Sequence, residues 1–281
     1  MTGISVVIPA LNDASMLRNC LDALEKQIRR ADEIIVVDNG STDDTAAVAA
    51  SHGARVITEP HRGIPAATAA GFDAAVGDII ARLDADSVPG PDWLARVEAR
   101  FASEHDLAAL TGPGDFYGAG PLVRRFGEVI YIGGYFWSMT WLLGHPPLFG
   151  SNFAISAIAW ARIRETSHRN VRELHDDLDL SFQFQPGMRI IYERDLRMGV
   201  SARPFGSLRG LGRRVYWAYT TLAVNAREQS LLDRRDAHVE WKRRVQSPAN
   251  ELSMEDRTVF GDDATTDFGT EEIGPEVEQP S

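Results

Sequence analysis

Short apolar segments alternate with helical segments over the first 83 residues of the chain. The apolar segments are rich in β-branched residues and lie at positions 4–9, 33–38, 53–57 and 77–83. The segments between them carry apolar residues at helical spacing. A β-α-β-α-β-α-β order needs crossover connections, which place parallel strands side by side with helices on both faces. The sequence therefore predicts an α/β fold with a mostly parallel central sheet.

The net charge of −11 comes mostly from the C-terminal end of the 281-residue chain. Residues 251–281 hold ten acidic side chains and one basic residue, Arg257. Helical periodicity also stops at about residue 247, which predicts an acidic disordered tail over residues 247–281. The rest of the chain is close to neutral, which argues against nucleic acid as a partner because such proteins carry a basic excess.

Two carboxylates follow the fourth predicted strand, at Asp84 and Asp86. Side chains at alternate positions share a face, so the two would be neighbours at a strand end. Strand ends are the usual ligand position in an open α/β sheet. Two like charges so close need a counter-ion, which a divalent metal bound to phosphate supplies. A polar surface turn is the alternative, because D-x-D also occurs often by chance.

Asp38 ends the second predicted strand and Pro9 ends the first. Carboxyl ends of parallel strands meet at one edge, so both residues would lie near Asp84 and Asp86. No G-x-G-x-x-G fingerprint and no phosphate-binding P-loop sequence follows the first strand. An acidic pair with a metal suits a diphosphate, whose charge the metal neutralises as it leaves. The alternative for Asp38 is a cap on the following helix.

Five motifs resemble those of family-2 glycosyltransferases with the GT-A fold, and they occur in that family's order over residues 4–195. They are Ile4-Ser5-Val6-Val7-Ile8-Pro9-Ala10-Leu11-Asn12, Glu33-Ile34-Ile35-Val36-Val37-Asp38-Asn39-Gly40-Ser41-Thr42-Asp43, Leu83-Asp84-Ala85-Asp86, Gly150-Ser151-Asn152-Phe153-Ala154 and Asp176-Asp177-Leu178-Asp179-Leu180-Ser181. The resemblance implies an inverting transferase with a nucleotide-sugar donor of the UDP or GDP type and a divalent metal, Mn²⁺ or Mg²⁺.

The first motifs imply the donor-binding residues. By position in the resemblance, Pro9, Asn12 and Asp38 would line the nucleoside pocket, with Asp38 contacting the base. Arg62 would approach the base or the diphosphate. Asp84 would contact the ribose or the sugar.

The later motifs imply the metal and acceptor residues. Asp86 would bind the metal, and Asp177 would act as general base by taking the proton of the acceptor hydroxyl. Gly150, Asn152 and Asp176 would shape the acceptor side, although the family usually has Glu where Asp176 stands. The alternative for the acidic cluster is a set of helix N-terminal charges favoured by the helix dipole.

Two departures from the family bear on the function. Thr68-Ala69-Ala70-Gly71 stands where the family often has Arg-Asn-x-Gly, which changes the contacts expected with the diphosphate. The processive Q-x-x-R-W motif is missing, which favours the addition of a single sugar. The acceptor group would then be a hydroxyl or a lipid phosphate, on a small molecule, a glycan or a lipid-linked acceptor. A nucleotidyltransferase on a similar sheet and a non-catalytic binding or scaffold subunit are the competing interpretations.

An almost uncharged, aromatic-rich run occupies residues 129–143. It is shorter than the roughly 20 residues of a spanning helix, which favours a buried helix or helical hairpin. The alternative is an interfacial or lipid-acceptor surface, which with the basic helices that follow would contact the inner face of a membrane. The lone Cys20 excludes an intrachain disulfide, and the first residues lack the basic segment of a signal peptide. These features predict a cytoplasmic protein.

The domain organisation follows from these patterns. Residues 1–200 are predicted to form the catalytic domain, with a nucleotide-sugar half over residues 1–112 and an acceptor half over residues 113–200. Basic C-terminal helices are expected over residues 201–246.

Overall fold

The computed structural model describes residues 2–118, 120, 127, 132–203 and 208–245. The chain divides into two compact units, Met1–Trp241 and Lys242–Ser281. All described strands and every site residue discussed below lie in the first unit. In the second unit only residues 242–245, the end of the last helix, are described. The predicted acidic tail lies outside the described residues.

The described residues form ten strands and nine α-helices. The strands are β1 (Ile4–Ala10), β2 (Glu33–Asp38), β3 (Arg55–Thr58), β4 (Ile79–Arg82), β5 (Val88–Pro89), β6 (Leu107–Thr111), β7 (Gly114–Tyr117), β8 (Phe153–Ser156), β9 (Arg189–Tyr192) and β10 (Met198–Ser201). The helices are α1 (Ala14–Glu25), α2 (Thr45–Ser51), α3 (Ile64–Ala74), α4 (Trp93–Ser103), α5 (Gly133–Leu143), α6 (Ala157–Ile163), α7 (Asp176–Gln183), α8 (Leu208–Glu228) and α9 (Leu231–Val245).

Seven strands form the central sheet in the order β3-β2-β1-β4-β8-β6-β9. The first four are parallel, as the sequence predicts. β8 runs antiparallel to both of its neighbours, so that Ala154 lies opposite Ala81 on one side and Leu110 on the other. A smaller sheet has the order β5-β10-β7. The prediction of a mostly parallel central sheet is confirmed.

Alternate side chains of β1 enter two separate cores because neighbouring strand residues point to opposite faces. Val6 packs in a cluster that includes Leu17 of α1 and Val97 of α4. Val7 packs in a second cluster with Phe72 of α3. Helices therefore cover both faces of the sheet.

The α3 helix approaches the sheet closely at Gly71. A Cβ atom on that residue would overlap the Cγ1 atom of Val7 and lie 2.9 Å from Cγ2 of Val37. Only glycine fits at this point without displacing the strands. The Gly71 of the altered family motif therefore has a packing role in this chain.

The aromatic-rich run forms α5, although residues 129–131 at its start lie outside the described part. Its inner face is buried at Phe136, whose ring centroid lies 4.5 Å from that of Tyr192 on β9. Trp137 and Trp141 on the other face are 77% and 56% exposed. The expected buried helix is thus buried on one face only. Among the described residues, no helix combines the length and apolar character needed to cross a bilayer.

Candidate active site

The carboxyl ends of β1 and β4 meet the amino end of β8 at one edge of the sheet, because β8 runs in the opposite direction. An open cleft of ≈ 920 Å³ lies at this edge. Seven of the ten residues that the sequence singles out line it: Pro9, Arg62, Asp84, Asp86, Gly150, Asp176 and Asp177. Residues far apart in the chain are therefore brought together as the strand order predicts.

The D-x-D carboxylates both face the cleft, while the side chains between and before them are buried. Leu83 is 0% exposed and Ala85 is 3% exposed. The chain turns at this point, with the Ser87 N–H donating to the Asp84 carbonyl at 2.9 Å. The pair therefore lies on a turn just after β4, with its backbone anchored in the core.

Asp84 is held by two side chains. Its Oδ2 accepts from the Ser151 hydroxyl at 2.6 Å, and its Oδ1 lies 2.8 Å from the Arg82 guanidinium. Ser151 belongs to the loop before β8, so this contact fastens the D-x-D turn to the G-x-N loop. The sequence assigned no role to Ser151.

Asp86 is paired with Arg203, which follows β10. The Arg203 guanidinium lies 2.7 Å from Asp86 Oδ2 and 2.7 Å from Asp13 Oδ1. The hydroxyl of Tyr117 donates to the Asp86 carbonyl at 2.6 Å. Burial raises the pKa of the Asp86 carboxyl, the charge of Asp84 adds to this, and Arg203 opposes it. Sequence reasoning missed Arg203 because it lies beyond the five motifs.

Arg82 lies beneath the cleft and was also missed by the sequence analysis. It is 1% exposed, on a strand that otherwise reads as apolar. Its guanidinium contacts Asp84 and lies 2.9 Å from Asp176 Oδ2, and it also donates to the carbonyl of Gly150. One buried cation therefore joins the D-x-D turn, the G-x-N loop and the start of α7.

Asp177 stands in the first turn of α7 with its carboxylate fixed by backbone donors. Its Oδ2 accepts from the Gly150 N–H at 2.7 Å and its Oδ1 accepts from the Leu178 N–H at 2.8 Å. A Cβ on Gly150 would lie 2.7 Å from Arg82 Nη1 and 3.0 Å from Asp177 Oδ2. A side chain at position 150 would therefore push Asp177 away from the loop.

Asp176 also borders the cleft, but its carboxylate is buried. It is 6% exposed, and its Oδ2 accepts from the Thr68 hydroxyl at 2.7 Å in addition to pairing with Arg82. Burial raises the pKa of the Asp176 carboxyl, and the Arg82 guanidinium opposes this. In the described structure, side-chain partners enclose the carboxylate of Asp176 but not that of Asp177.

Asn12 and Asp38 order the loop after β2 and are not among the described cleft-lining residues. Asn12 has a φ of 53°, and its Oδ1 accepts from the Thr42 N–H at 2.7 Å. Asp38 Oδ1 accepts from the Ser41 N–H at 2.9 Å. Their contacts with a nucleoside stay predictions.

Asn39 lines the cleft and positions Arg62, although the sequence assigned it no role. Its Nδ2 donates to the carbonyls of Glu59 and His61, both at 2.8 Å, and its Oδ1 accepts from the Gly63 N–H at 2.8 Å. The loop that carries Arg62 is therefore tied to the end of β2.

Asn152 is 0% exposed and its side chain lies in the interior. Its Oδ1 accepts from the Trp93 indole at 2.9 Å, and its Nδ2 donates to the carbonyls of Pro113 at 3.0 Å and Leu196 at 2.5 Å. In this arrangement the side chain anchors the G-x-N loop from below, and an acceptor contact by Asn152 stays a prediction.

The donor set at the D-x-D turn fits a hard divalent cation. Such cations take oxygen ligands and retain waters or substrate phosphates, and both carboxylates at Asp84 and Asp86 face an open cleft. Within the described ranges, no group of three or more His, Cys, Asp or Glu side chains could hold a metal by itself.

The fold is that of the GT-A glycosyltransferases. The crystal structure of glucosyl-3-phosphoglycerate synthase from Mycobacterium tuberculosis matches with a TM-score of 0.56 and 24% identity, over 80% of this chain and 80% of that chain. The same enzyme in complex with Mn²⁺, UDP-glucose and phosphoglyceric acid matches with a TM-score of 0.55 and 23% identity, over 80% and 79% of the two chains. At these identities the likeness shows the fold.

The chain belongs to glycosyl transferase family 2, whose family profile matches residues 5–158, more than half of the sequence. The predicted resemblance to family-2 glycosyltransferases is thus confirmed, and the roles assigned to the individual motifs stay predictions.

Curated relatives match over a shorter segment. An uncharacterized glycosyltransferase of Mycobacterium tuberculosis is 41% identical over 104 residues, which is 37% of this chain and 46% of that protein. A PGL/p-HBAD biosynthesis glycosyltransferase of the same organism is 38% identical over 113 residues, which is 38% of this chain and 44% of that protein. The matched segment spans less than half the length of these relatives.

Proposed function

We propose that the protein transfers a single sugar from a UDP-sugar to an acceptor hydroxyl, with inversion at the anomeric carbon. The observation that supports this most directly is that the D-x-D carboxylates and Asp177 face one cleft, and that Asp84 is linked to Asp177 through Arg82 and Gly150. UDP is favoured over GDP because the structurally similar synthase binds UDP-glucose.

On the donor side, Pro9 and Arg62 border the cleft where the nucleoside and diphosphate would lie. Asp86, beside Asp84, would hold the divalent metal, Mn²⁺ or Mg²⁺. When bound, the metal would neutralise the charge of the leaving diphosphate. Arg203 would have to share or release Asp86 when the cation binds, because its guanidinium lies 2.7 Å from that carboxylate.

On the acceptor side, Asp177 would act as the general base. Its carboxylate would accept the hydroxyl proton as the acceptor oxygen attacks the anomeric carbon. The two backbone N–H donors, from Gly150 and Leu178, orient this carboxylate before the substrate arrives. A base that is already oriented avoids the entropic loss of ordering it during the reaction.

Two measurements on the full chain test these roles. The rate of UDP release from UDP-sugars, with and without Mn²⁺, reports transfer and donor hydrolysis. Calorimetry of UDP binding with Mn²⁺ reports the donor site by itself.

Asp177→Asn is expected to lower kcat by about 10²–10⁴-fold and to leave UDP affinity nearly unchanged. Asp86→Asn is expected to weaken Mn²⁺-dependent UDP binding. Asp106→Asn serves as the control, because this side chain is 71% exposed and lies away from the cleft. Wild-type kcat in Asp177→Asn would refute the assignment of the base. UDP binding without turnover of any UDP-sugar would favour a non-catalytic binding subunit.

A cytoplasmic location with peripheral contact at the inner face of a membrane also stays a proposal. It rests on the exposed Trp137 and Trp141 of α5 and on Arg235 of α9, whose guanidinium lies 4.8 Å from the Trp141 ring. Aromatic and basic side chains together suit an anionic membrane interface. Liposome flotation tests the membrane contact, and recovery of all the protein in the unbound fraction would refute that contact.

A further inference from the structure

One side of the cleft is formed by apolar side chains. None of them belongs to the proposed donor-binding residues. Tyr135 and Met139 come from α5, Leu178 comes from α7 and Leu222 comes from α8. The four belong to a single hydrophobic cluster and all line the cleft. They are called the apolar wall below.

The apolar wall begins at the proposed base. Leu178 follows Asp177 in α7 and donates its N–H to the Asp177 carboxylate at 2.8 Å. Phe149 also lines the cleft and precedes Gly150, whose N–H donates to the other oxygen of Asp177. A molecule whose hydroxyl reaches Asp177 would therefore place its body against these apolar groups.

Two polar groups near the apolar wall already have partners within the protein. The Tyr135 hydroxyl donates to the Leu148 carbonyl at 2.6 Å. His175 Nε2 lies 2.9 Å from the carbonyl oxygen of Arg214. Charged side chains of Arg172, Glu173, Arg213 and Arg214 also line the cleft. Against the apolar wall itself, however, the hydroxyls of a highly polar acceptor would lose water with few groups to replace it, which is unfavourable. A hydrocarbon body has no such loss.

The apolar surface continues to the mouth of the cleft along α8. Val215 and Tyr216 line the cleft and are still 64% and 55% exposed. Exposed apolar side chains at the rim of a cleft are typical of a binding surface for an apolar ligand. A long acceptor could therefore leave the cleft along this rim.

We propose that the apolar wall and this rim form the acceptor subsite, and that the acceptor carries its hydroxyl on a hydrocarbon body. The inference rests on the proposed glycosyl transfer and names its acceptor class. In that reaction the acceptor oxygen bonds to the anomeric carbon while the bond from that carbon to the diphosphate oxygen breaks. The bonding electrons leave with the nucleoside diphosphate, and the hydroxyl proton goes to Asp177.

A chain-length series of n-alkyl alcohols, from methyl to octyl and below their solubility limits, tests the subsite. Their Kd values are measured by calorimetry on the full chain in the presence of UDP and Mn²⁺. Each added methylene that becomes buried is expected to lower Kd by about twofold to fourfold. Equal Kd values for the methyl and octyl compounds would overturn the proposal.

Two tyrosines on α8 provide a matched pair of variants. Tyr216 lines the cleft, whereas Tyr219 is 70% exposed and is not among the described cleft-lining residues. Tyr216→Ser is expected to weaken binding of the octyl alcohol by about fivefold to tenfold and to leave binding of the methyl alcohol unchanged. Tyr219→Ser is expected to change neither. Equal effects of the two variants would mean that the alkyl chain binds elsewhere.

Separate measurement of UDP binding distinguishes the two proposals. Mn²⁺-dependent UDP binding without chain-length dependence would overturn the acceptor subsite alone. Chain-length dependence without UDP binding would overturn the proposed donor and leave an apolar site. A melting temperature equal to that of the wild type verifies that each variant is folded.

Discussion

Replacement of Arg82 by methionine is expected to destabilise the protein strongly, because it leaves a buried carboxylate without its counter-charge. Arg82 and Asp176 are 1% and 6% exposed, and their charged groups lie 2.9 Å apart. Asp84, the other ion-pair partner, has a side chain that is 35% exposed and can be hydrated. The destabilisation therefore arises mainly at Asp176.

The magnitude follows from the two ways in which the variant can respond. Loss of one partner of a buried ion pair typically destabilises a protein by about 3–5 kcal/mol. Asp176 can instead take up a proton, which for a carboxyl of ordinary pKa, about 3.9, costs about 4 kcal/mol at pH 7 and about 1.5 kcal/mol at pH 5. The expected loss of unfolding free energy is about 3–4 kcal/mol at pH 7.

The loss of unfolding free energy in Arg82→Met is expected to depend on pH. In the variant, burial without the guanidinium raises the pKa of Asp176 further, and a group with a raised folded-state pKa loses stability as the pH rises. Arg82→Met should therefore be about 2–3 kcal/mol less damaging at pH 5 than at pH 7. Urea unfolding at the two pH values, followed by circular dichroism, measures the difference.

Arg55→Met is the matched control. Arg55 lies on the edge strand β3, its side chain is 52% exposed, and its guanidinium is 3.5 Å from Glu33. An exposed pair of this kind contributes about 0–1 kcal/mol. A second substitution, Asp176→Asn, should recover part of the stability lost in Arg82→Met. If Arg82→Met lost no more stability than Arg55→Met, or lost the same amount at both pH values, the account of a buried counter-charge would be wrong.

Two further predictions concern stability. The hydrogen bond to Asp179 raises the pKa of His168 to about 9, so its stabilising contribution is complete below pH 6.5 and is lost as the pH rises towards 9. Urea unfolding should show a fall of about 1–2 kcal/mol over that range, allowing for solvent screening, and the fall should vanish in His168→Gln. Gly71→Ala should destabilise the protein by about 1–3 kcal/mol in thermal unfolding, because its Cβ would overlap Val7. Gly134→Ala on α5 should have no such effect, since nothing lies within 4 Å of a Cβ there.

The central sheet, and the grouping of acidic residues at one of its edges, could be predicted from local sequence patterns. The four apolar runs became β1 to β4 because each is too short for a helix and is bounded by turn residues. Since parallel strands end at one edge, Asp84 and Asp86 could be placed in one cleft before any geometry was known. The site role of Asp177 was implied only by the resemblance of its acidic motif to that of family-2 glycosyltransferases.

Contacts over long sequence distances could not be predicted in this way. Arg82 reads as an interruption of an apolar strand, and its partner Asp176 is 94 residues further on. Arg203 lies 117 residues beyond Asp86. Pairings of this kind depend on tertiary packing, which periodicity does not encode.

The directions of individual side chains could not be predicted from the sequence either. The motif correctly indicated a loop at Gly150, but it did not reveal that the Asn152 side chain turns inward to three partners. The positive φ of Asn12, 53°, likewise directs its amide to the next loop. Such orientations depend on backbone dihedrals that the residue type alone does not determine.

The reversed strand β8 has a consequence for how this enzyme family can be altered. It lies between β4 and β6, so a chain cut after residue 112 would leave two buried, apolar strands with unpaired edges. Exposed edges of that kind promote aggregation. The first 112 residues therefore do not form a sheet that is complete by itself. New acceptor preferences are more readily built on α5 and α8, whose side chains line the cleft without belonging to the sheet.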